Sequence, residues 1–255
     1  MPRVLWSVDG PVGRLTLNRP EALNALDEET AAEFSAAVRA AARSAAKVVV
    51  LEGAGRAFCA GGDLHFIERN QRRTAADLAP RMRRFYGAFL SVRALPQIVV
   101  AKVQGAAFGA GLCLALAADL RVAAEDARLS FNFVRLGLNP GMAAWPLARA
   151  AFGDARAREL LVTGRTFSGR ELAAWGGGFA AAPDALLAES EALARRAAVG
   201  CGAALRLLKA ETRLQENLAP FLTFEARGQA RAFRGPDLAE GLAAARERRE
   251  PLFRG

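Results

Sequence analysis

Two glycine-rich turns are the segments of this chain whose residue types could do chemistry. One runs from Gly53 to Gly62 and the other from Gly105 to Gly111, and each lies between an apolar run and a helical pattern. Small residues let a ligand approach the main chain closely, and a helix N-terminus presents unpaired N–H groups. Two such turns facing each other would form convergent donors that stabilise an oxyanion. Tight turning and close helix packing explain the same glycines, and spacing alone leaves both interpretations open.

Few titratable side chains accompany these turns. His65 is the only histidine and closely follows the first turn, where we expect a partly buried structural histidine in preference to one that transfers protons. Glu68 could point into a pocket or lie on a solvated helix face. Asp63 stands where a carboxylate would cap the helix that follows. Neither turn has the glycine pattern of a dinucleotide-binding site or a P-loop.

Alternating strand and helix patterns must position the two turns. A turn at Gly10 joins two alternating runs into a hairpin, and the acidic residues from Asp27 onward open an alanine-rich helix. The β-branched runs at 47–52 and 98–103 are typical of buried strands. This alternation predicts an α/β fold with parallel strands.

The C-terminal part of the sequence has a different character. No strand signal follows Ala182, and from about Gly202 leucines recur at helical spacing. We therefore predict an α/β core over residues 1–198. A helical C-terminal region over residues 199–255 is expected to pack on that core or on neighbouring subunits.

The composition indicates a soluble, folded protein. Of its 255 residues 52% are hydrophobic and 24% are charged, with a net charge of +9. The arginines are spread along the chain without interleaved aromatics, so nucleic-acid binding is not expected. The longest uncharged run, between Lys102 and Asp119, is too short to span a membrane. Three cysteines without a C-x-x-C pair, and no signal-peptide pattern, predict a cytoplasmic protein.

Four segments of the chain resemble, in order, the crotonase superfamily of enoyl-CoA hydratases and isomerases. They are Asn18–Leu26 (NRPEALNAL), Gly55–Leu64 (GRAFCAGGDL), Gln104–Leu112 (QGAAFGAGL) and Phe133–Gly141 (FVRLGLNPG). The resemblance covers almost the whole chain and implies a spiral of ββα turns whose helical C-terminal region forms trimers or dimers of trimers. It also implies an acyl-CoA thioester as substrate, with coenzyme A as part of that substrate and no tightly bound cofactor or metal.

Carried over by position, the resemblance assigns the two oxyanion donors to the N–H groups of Gly62 and Ala110. Alanine at position 110 keeps the donor, but its methyl group narrows the approach. The resemblance also implies which residues contact the coenzyme A thioester: Ala22, Leu23, Ala25, Ala60, Gly61, Gly62, Asp63, Leu64 and Ala110.

The chain departs from the family pattern where the family carries its acids. Cys113 and Phe133 occupy the positions of the two hydratase glutamates, and Gly141 occupies that of an aspartate used by some isomerases and a dehalogenase. A phenylalanine transfers no proton, and a buried cysteine usually behaves as a small hydrophobe. These substitutions argue against ordinary hydration, against dehalogenation and against the usual aspartate-dependent isomerisation.

Three functions stay open at this point. The first is an enzyme that stabilises a thioester enolate, as a lyase, decarboxylase or isomerase, because the donor turns are intact. The second is a non-catalytic acyl-CoA-binding protein, because the acids are absent. The third is a hydratase that uses displaced groups such as His65 or Glu68.

Overall fold

The computed structural model describes residues 1–213 and 217–253. Strands and helices alternate up to residue 198, and only helices follow among the described residues, which confirms the predicted α/β class. The strands are β1 (Val4–Asp9), β2 (Val12–Leu17), β3 (Val48–Gly53), β4 (Ile98–Val103), β5 (Ala106–Phe108), β6 (Leu120–Ala124), β7 (Arg128–Ser130), β8 (Phe167–Ser168) and β9 (Phe179–Ala181). The helices are α1 (Glu28–Ala42), α2 (Leu64–Asn70), α3 (Ala75–Leu90), α4 (Ala110–Ala117), α5 (Ala144–Thr163), α6 (Gly169–Ala174), α7 (Leu186–Ala198), α8 (Gly202–Thr212), α9 (Ala219–Ala232) and α10 (Pro236–Glu247).

A six-stranded sheet carries the first layer, in the order β1-β2-β3-β4-β6-β9. The predicted hairpin is confirmed, because β1 and β2 pair antiparallel with Val4 opposite Leu17. Every later pair in this sheet is parallel. The central strands β3 and β4 have buried side chains on both faces, as their unbroken β-branched runs indicate.

Three short strands form a second sheet that the sequence patterns did not reveal. Its order is β5-β7-β8, with β5 parallel to β7 and β7 antiparallel to β8. Strand β5 lies inside the second glycine-rich turn, and its residues are too few for a periodic pattern. The turn is fixed further because Gly109 donates a 2.8 Å hydrogen bond to the carbonyl of Ser130. The second sheet therefore holds the entry to α4.

Helix α1 covers one face of the large sheet. Asp27 caps it by accepting a 2.8 Å hydrogen bond from the Thr30 N–H, and two arginines, Arg3 and Arg19, pair with the same carboxylate. Phe34 and Val38 stand one turn apart on the buried side. The acidic start that the sequence showed is thus the N-terminus of the helix, as expected.

The C-terminal helices pack on the core. Helix α9 lies along α3, and α10 lies on the single helical turn at Val134–Leu136. Residues 214–216 and 254–255 of the predicted region 199–255 lie outside the described residues, and its division from the core stays a prediction. In the described part of the chain, no helix has the length and apolar character that a bilayer span requires.

Helix α4 is buried on all sides, and its second residue touches the first glycine-rich turn. A Cβ atom at Gly111 would lie 2.3 Å from the carbonyl oxygen of Cys59. That distance is far below van der Waals contact, so only glycine lets α4 approach the turn this closely.

Gly111→Ala is expected to destabilise the protein by about 1–3 kcal/mol, because the new methyl group must push Cys59 and α4 apart. Gly87→Ala is the matched control, since Gly87 is exposed within α3 and a Cβ there meets no atom within 4 Å. That control should instead stabilise by about 0.5–1 kcal/mol. Urea denaturation measures both, and equal effects from the two substitutions would contradict the close approach.

Candidate active site

The two glycine-rich turns lie side by side and exchange backbone hydrogen bonds. Cys59 donates from its N–H to the carbonyl of Ala106 at 3.0 Å, and Phe108 donates to the carbonyl of Cys59 at 3.0 Å. Cys59 and Ala107 form a parallel bridge. A single bridge and two backbone hydrogen bonds therefore join the first turn to β5 of the second sheet.

Gly61 brings the end of the first turn against the start of α4. Its φ of +94° favours glycine, and a Cβ at this position would lie 2.6 Å from the Phe108 carbonyl oxygen. The same point is 3.7 Å from the backbone nitrogen of Ala110. The predicted donors, on Gly62 and Ala110, are thus neighbours in space.

Both predicted donors lack an acceptor in the described part of the chain. The carbonyl of Gly61 accepts from Leu26 at 2.7 Å, and the N–H of Asp63 donates to Leu26 at 2.9 Å. Backbone groups of an extended segment alternate in direction, so the N–H of Gly62 points away from Leu26. Ala110 is the first residue of α4, where the helix itself supplies no acceptor. Neither N–H group therefore has a hydrogen-bond acceptor among the described residues, and their role as oxyanion donors stays a prediction.

A third turn, which contains Leu23 and Asn24, lies beside the first glycine-rich turn. Leu23 and Asn24 adopt left-handed conformations with φ of 51° and 57°, and the carbonyl of Leu23 accepts from Ala60 at 2.9 Å. The Asn24 side chain holds the turn by donating to the carbonyls of Ala54 and Ala57 at 2.9 Å. The segments that sequence resemblance assigned to coenzyme A, 22–25 and 60–64, are therefore in direct contact.

Residues 8–255 match the profile of the enoyl-CoA hydratase/isomerase family. The chain belongs to this family. It is 36% identical to the 1,2-epoxyphenylacetyl-CoA isomerase of Escherichia coli over 100% of this chain and 99% of the relative. It is also 36% identical to the probable enoyl-CoA hydratase EchA14 of Mycobacterium tuberculosis, over 96% and 98% of the two chains. The crystal structure of an enoyl-CoA hydratase from Mycobacterium avium subsp. paratuberculosis superposes with a TM-score of 0.86 at 31% identity, over 99% of each chain.

These comparisons confirm the crotonase fold predicted from the sequence, and a helical C-terminal region is present. The family acts on CoA thioesters. Trimer formation stays a prediction, as does the assignment of individual site residues.

Within this family member, Asp63 has a structural task. It caps α2 by accepting a 3.1 Å hydrogen bond from the Phe66 N–H, and its other oxygen pairs with Arg19 at 3.3 Å. The predicted capping role is confirmed. Because Arg19 also binds Asp27, this pair ties the third turn to the start of α2.

His65 and Glu68 lie on the outer side of α2. The His65 side chain is 85% exposed, so the expectation of a partly buried histidine is wrong. Its Nδ1 atom is 3.5 Å from Glu68, whose other oxygen pairs with Arg246 of α10. Asp63 at the N-cap and Phe66 in the core orient α2 so that position 65 faces outward. The pair links α2 to the C-terminal helices.

The three positions that lack the family's acids are buried and tightly packed. Cys113 is fully buried and its thiol lies 3.7 Å from the carbonyl oxygen of Gly141. Burial, and then the nearby charge of Glu225, raise the pKa of the Cys113 thiol well above its usual value. Phe133 is buried with its ring beside Gly109. Neither side chain can act as a base near neutral pH.

Gly141 is enclosed by two polar side chains. A Cβ at this position would lie 2.5 Å from the hydroxyl oxygen of Tyr86 and 2.5 Å from the side-chain nitrogen of Gln229. The Tyr86 hydroxyl hydrogen-bonds Gln229, and Gln229 donates to the carbonyl of Asn139 at 2.8 Å. Space for an acidic side chain at position 141 is therefore taken by Tyr86 and Gln229.

Glu225 completes this buried polar group, and the sequence patterns did not point to it. Its carboxylate accepts a 2.6 Å hydrogen bond from the N–H of Ala143, directly before α5. Glu225 and Gln229 are four residues apart on α9 and share its buried face with Ala226, Ala230 and Phe233. One sequence signal could have revealed these two polar residues. They recur at the same helical spacing as the apolar residues on the buried face of α9.

The charge state of Glu225 follows from its surroundings. Burial raises the pKa of its carboxyl to about 8, although hydrogen bonds from the N–H groups of Ala143, Ala144 and Trp145 oppose the rise. Arg3 and Arg19 pair with the other buried carboxylate, Asp27, but no cation pairs with Glu225 among the described residues. Glu225 is therefore mostly protonated at neutral pH.

This raised pKa predicts a pH-dependent stability that Glu225→Gln removes. The native pKa of about 8 exceeds the ordinary value of 4.5, so the stabilising contribution is complete below pH 4.5 and is lost as pH rises to 8. The free energy of unfolding of the wild type should fall relative to the variant by on the order of 4 kcal/mol over this range. Urea denaturation at several pH values gives both curves, and parallel curves would rule out a raised native pKa.

Proposed function

We propose that this protein converts an acyl-CoA thioester through an enolate, which the N–H groups of Gly62 and Ala110 stabilise. The observation that supports the proposal is that the two glycine-rich turns, far apart in sequence, lie side by side, and that neither donor has an acceptor among the described residues. An enolate or tetrahedral adduct places negative charge on the thioester oxygen. Convergent donors in a water-poor site stabilise that charge more in the transition state than in the ground state.

The reaction that we propose is isomerisation or a lyase reaction such as decarboxylation, rather than hydration. Hydration needs groups that place and activate water, and Cys113 and Phe133 offer none. Isomerisation needs an enolate and a proton donor, and decarboxylation needs only the enolate. The 36% identity to an enzyme named 1,2-epoxyphenylacetyl-CoA isomerase supports the first of these reactions.

The coenzyme would lie against the contacting turns at 22–25 and 60–64. Ala22, Leu23, Ala25 and Ala60 present small or apolar surface, while Gly61, Gly62, Asp63 and Leu64 lead into α2. Their backbone suits the adenine and pantetheine groups because little side chain stands between ligand and main chain. His65 and Glu68, on the outer side of α2, are not assigned a catalytic role here.

A second candidate is an acyl-CoA-binding protein without chemistry. The closed packing around Cys113 and Gly141 favours it, since no ionised side chain reaches those positions. A panel of malonyl-type, β,γ-unsaturated and crotonyl thioesters, followed by mass spectrometry, separates the two candidates. We expect turnover of a malonyl-type or β,γ-unsaturated thioester. Measured binding of every thioester without turnover of any would favour the second candidate.

Ala110→Pro tests the proposed donor directly. Proline fits the first position of a helix and removes only an N–H that has no acceptor in the protein. Gly109 precedes it and has no Cβ to clash with the proline ring. We expect kcat to fall about 10²–10³-fold while the KM for the CoA thioester stays within about threefold.

Ala110→Gly is the matched control, because it changes the side chain and keeps the N–H. Its kcat should remain within about threefold of the wild type. A folded Ala110→Pro protein with wild-type kcat would refute the role of this donor.

A further inference from the structure

We propose that Arg19 is a positioning residue for coenzyme A, because its side chain holds the third turn against the start of α2. This inference rests on the proposed function, which places the coenzyme along residues 22–25 and 60–64. A positioning residue acts through the segments that contact the ligand and does not contact the ligand itself. The hydrogen bonds and ion pairs of Arg19 support such a role.

The main chain of Arg19 forms the base of the third turn. Its carbonyl accepts hydrogen bonds from the N–H groups of Ala22 and Asn24 at 3.0 and 2.8 Å. Its own N–H donates to the side-chain oxygen of Asn24 at 2.9 Å. Leu23 and Asn24 both adopt left-handed conformations, which cost residues with a Cβ atom roughly 1–3 kcal/mol each. The hydrogen bonds of Arg19 therefore help to keep this strained turn in one conformation.

The side chain of Arg19 joins the third turn to the end of the first glycine-rich turn. It pairs at 3.0 Å with Asp27, which directly follows Leu26. It also pairs at 3.3 Å with Asp63, which directly follows Gly62. Leu26 and Gly62 themselves form a parallel bridge. One guanidinium group therefore holds the two segments together where they pair, and both segments belong to the proposed coenzyme site.

The charge of Arg19 is already balanced within the protein. Its guanidinium lies between two carboxylates, Asp27 and Asp63, and Arg3 pairs with the first of them at 2.5 Å. The Arg19 side chain is only 17% exposed, and it also donates to the carbonyl of Ala25 at 2.9 Å. Charge-assisted hydrogen bonds of this kind are strong and directional. Arg19 therefore offers no unbalanced charge to the phosphates of coenzyme A, and it acts on the ligand through the two segments.

Arg19→Gln tests this role through coenzyme A binding and through steady-state kinetics. The variant should fold, because Asp27 keeps its pair with Arg3 and its hydrogen bond from Thr30. We expect the Kd for coenzyme A, measured by isothermal titration calorimetry, to rise about tenfold or more. The KM for a thioester that the wild type converts should rise by a similar factor, with kcat within about threefold, because the ground state and the transition state lose the same binding.

Arg3→Gln is the matched control. It removes the other arginine from Asp27 and so disturbs the cap of α1 in a similar way, but it leaves both ion pairs of Arg19 in place. Its Kd for coenzyme A and its KM should stay within about threefold of the wild-type values. Equal increases in Arg3→Gln and Arg19→Gln would overturn the positioning role, because the effect would then follow a general loss of stability. An unchanged Kd in folded Arg19→Gln would overturn it as well.

Asp63→Asn distinguishes positioning from direct contact between Arg19 and a phosphate, and it tests the same ion pair if Arg19→Gln fails to fold. Asparagine can still cap α2 but lacks the charge that Arg19 binds. Positioning predicts a higher Kd for coenzyme A in this variant, and a double variant that loses no more than the worse single variant. A lower Kd in Asp63→Asn, or losses that multiply in the double variant, would overturn the role, because Arg19 would then bind the ligand independently of Asp63.

Calorimetry with coenzyme A needs no turnover, so this inference and the proposed function can fail separately. If Arg19→Gln weakens coenzyme A binding but the wild type converts no thioester, the positioning role stands and the proposed chemistry fails. If the wild type converts a thioester and Arg19→Gln matches its Kd and KM, the proposed function stands and the positioning role fails. A wild-type protein that binds no coenzyme A would overturn both.

Discussion

The contact between the first glycine-rich turn and the entry to α4 is the constraint on which the rest of the site depends. Cys59 hydrogen-bonds both Ala106 and Phe108, and its carbonyl oxygen lies where a side chain at position 111 would have to start. The helix and the turn can be this close only because glycine stands at positions 61 and 111. This closeness sets the relative positions of the N–H groups of Gly62 and Ala110. It also explains why small residues dominate both turns without any direct role in chemistry.

At Glu225, the cost of desolvation opposes the gain from backbone hydrogen bonds. The carboxyl is buried without a cation, and the N–H groups before and within α5 only partly offset its desolvation. Tyr86 and Gln229 fill the space beside Gly141, so the C-terminal helix α9 contributes the polar atoms nearest to Cys113. Helix α9 thus packs directly against α3 and the residues around Gly141.

Local patterns in the sequence predicted the large sheet well. The hairpin at Gly10 and the strand over 98–103 follow from side-chain alternation and β-branched runs, which depend on neighbours in sequence. Strand β5 was missed because three residues carry no periodicity. The Tyr86–Gln229 contact was missed because the two residues are 143 positions apart and meet only when α9 packs on α3.

The candidate site also has features that the sequence predicted and features that depend on tertiary packing. Family resemblance pointed to Gly62 and Ala110 as oxyanion donors, and the structure shows that the turns that carry them lie side by side. The same resemblance marked Cys113, Phe133 and Gly141 as departures, but which groups stand beside Gly141 could be learned only from tertiary packing. The exposure of His65 was predicted wrongly, since the direction of a side chain on α2 depends on how Asp63 and Phe66 orient that helix.

The most direct test of the account is isotope-edited infrared spectroscopy of a bound, saturated acyl-CoA that carries a ¹³C label in its thioester carbonyl. The measurement reports polarisation of the bond itself and needs no turnover. The account predicts that the labelled stretch moves to lower wavenumber on binding to the wild type and returns most of the way toward its free value in Ala110→Pro, which lacks one donor. A bound carbonyl whose stretch equals that of the free thioester, in a complex with measured binding, would contradict the claim that Gly62 and Ala110 polarise it.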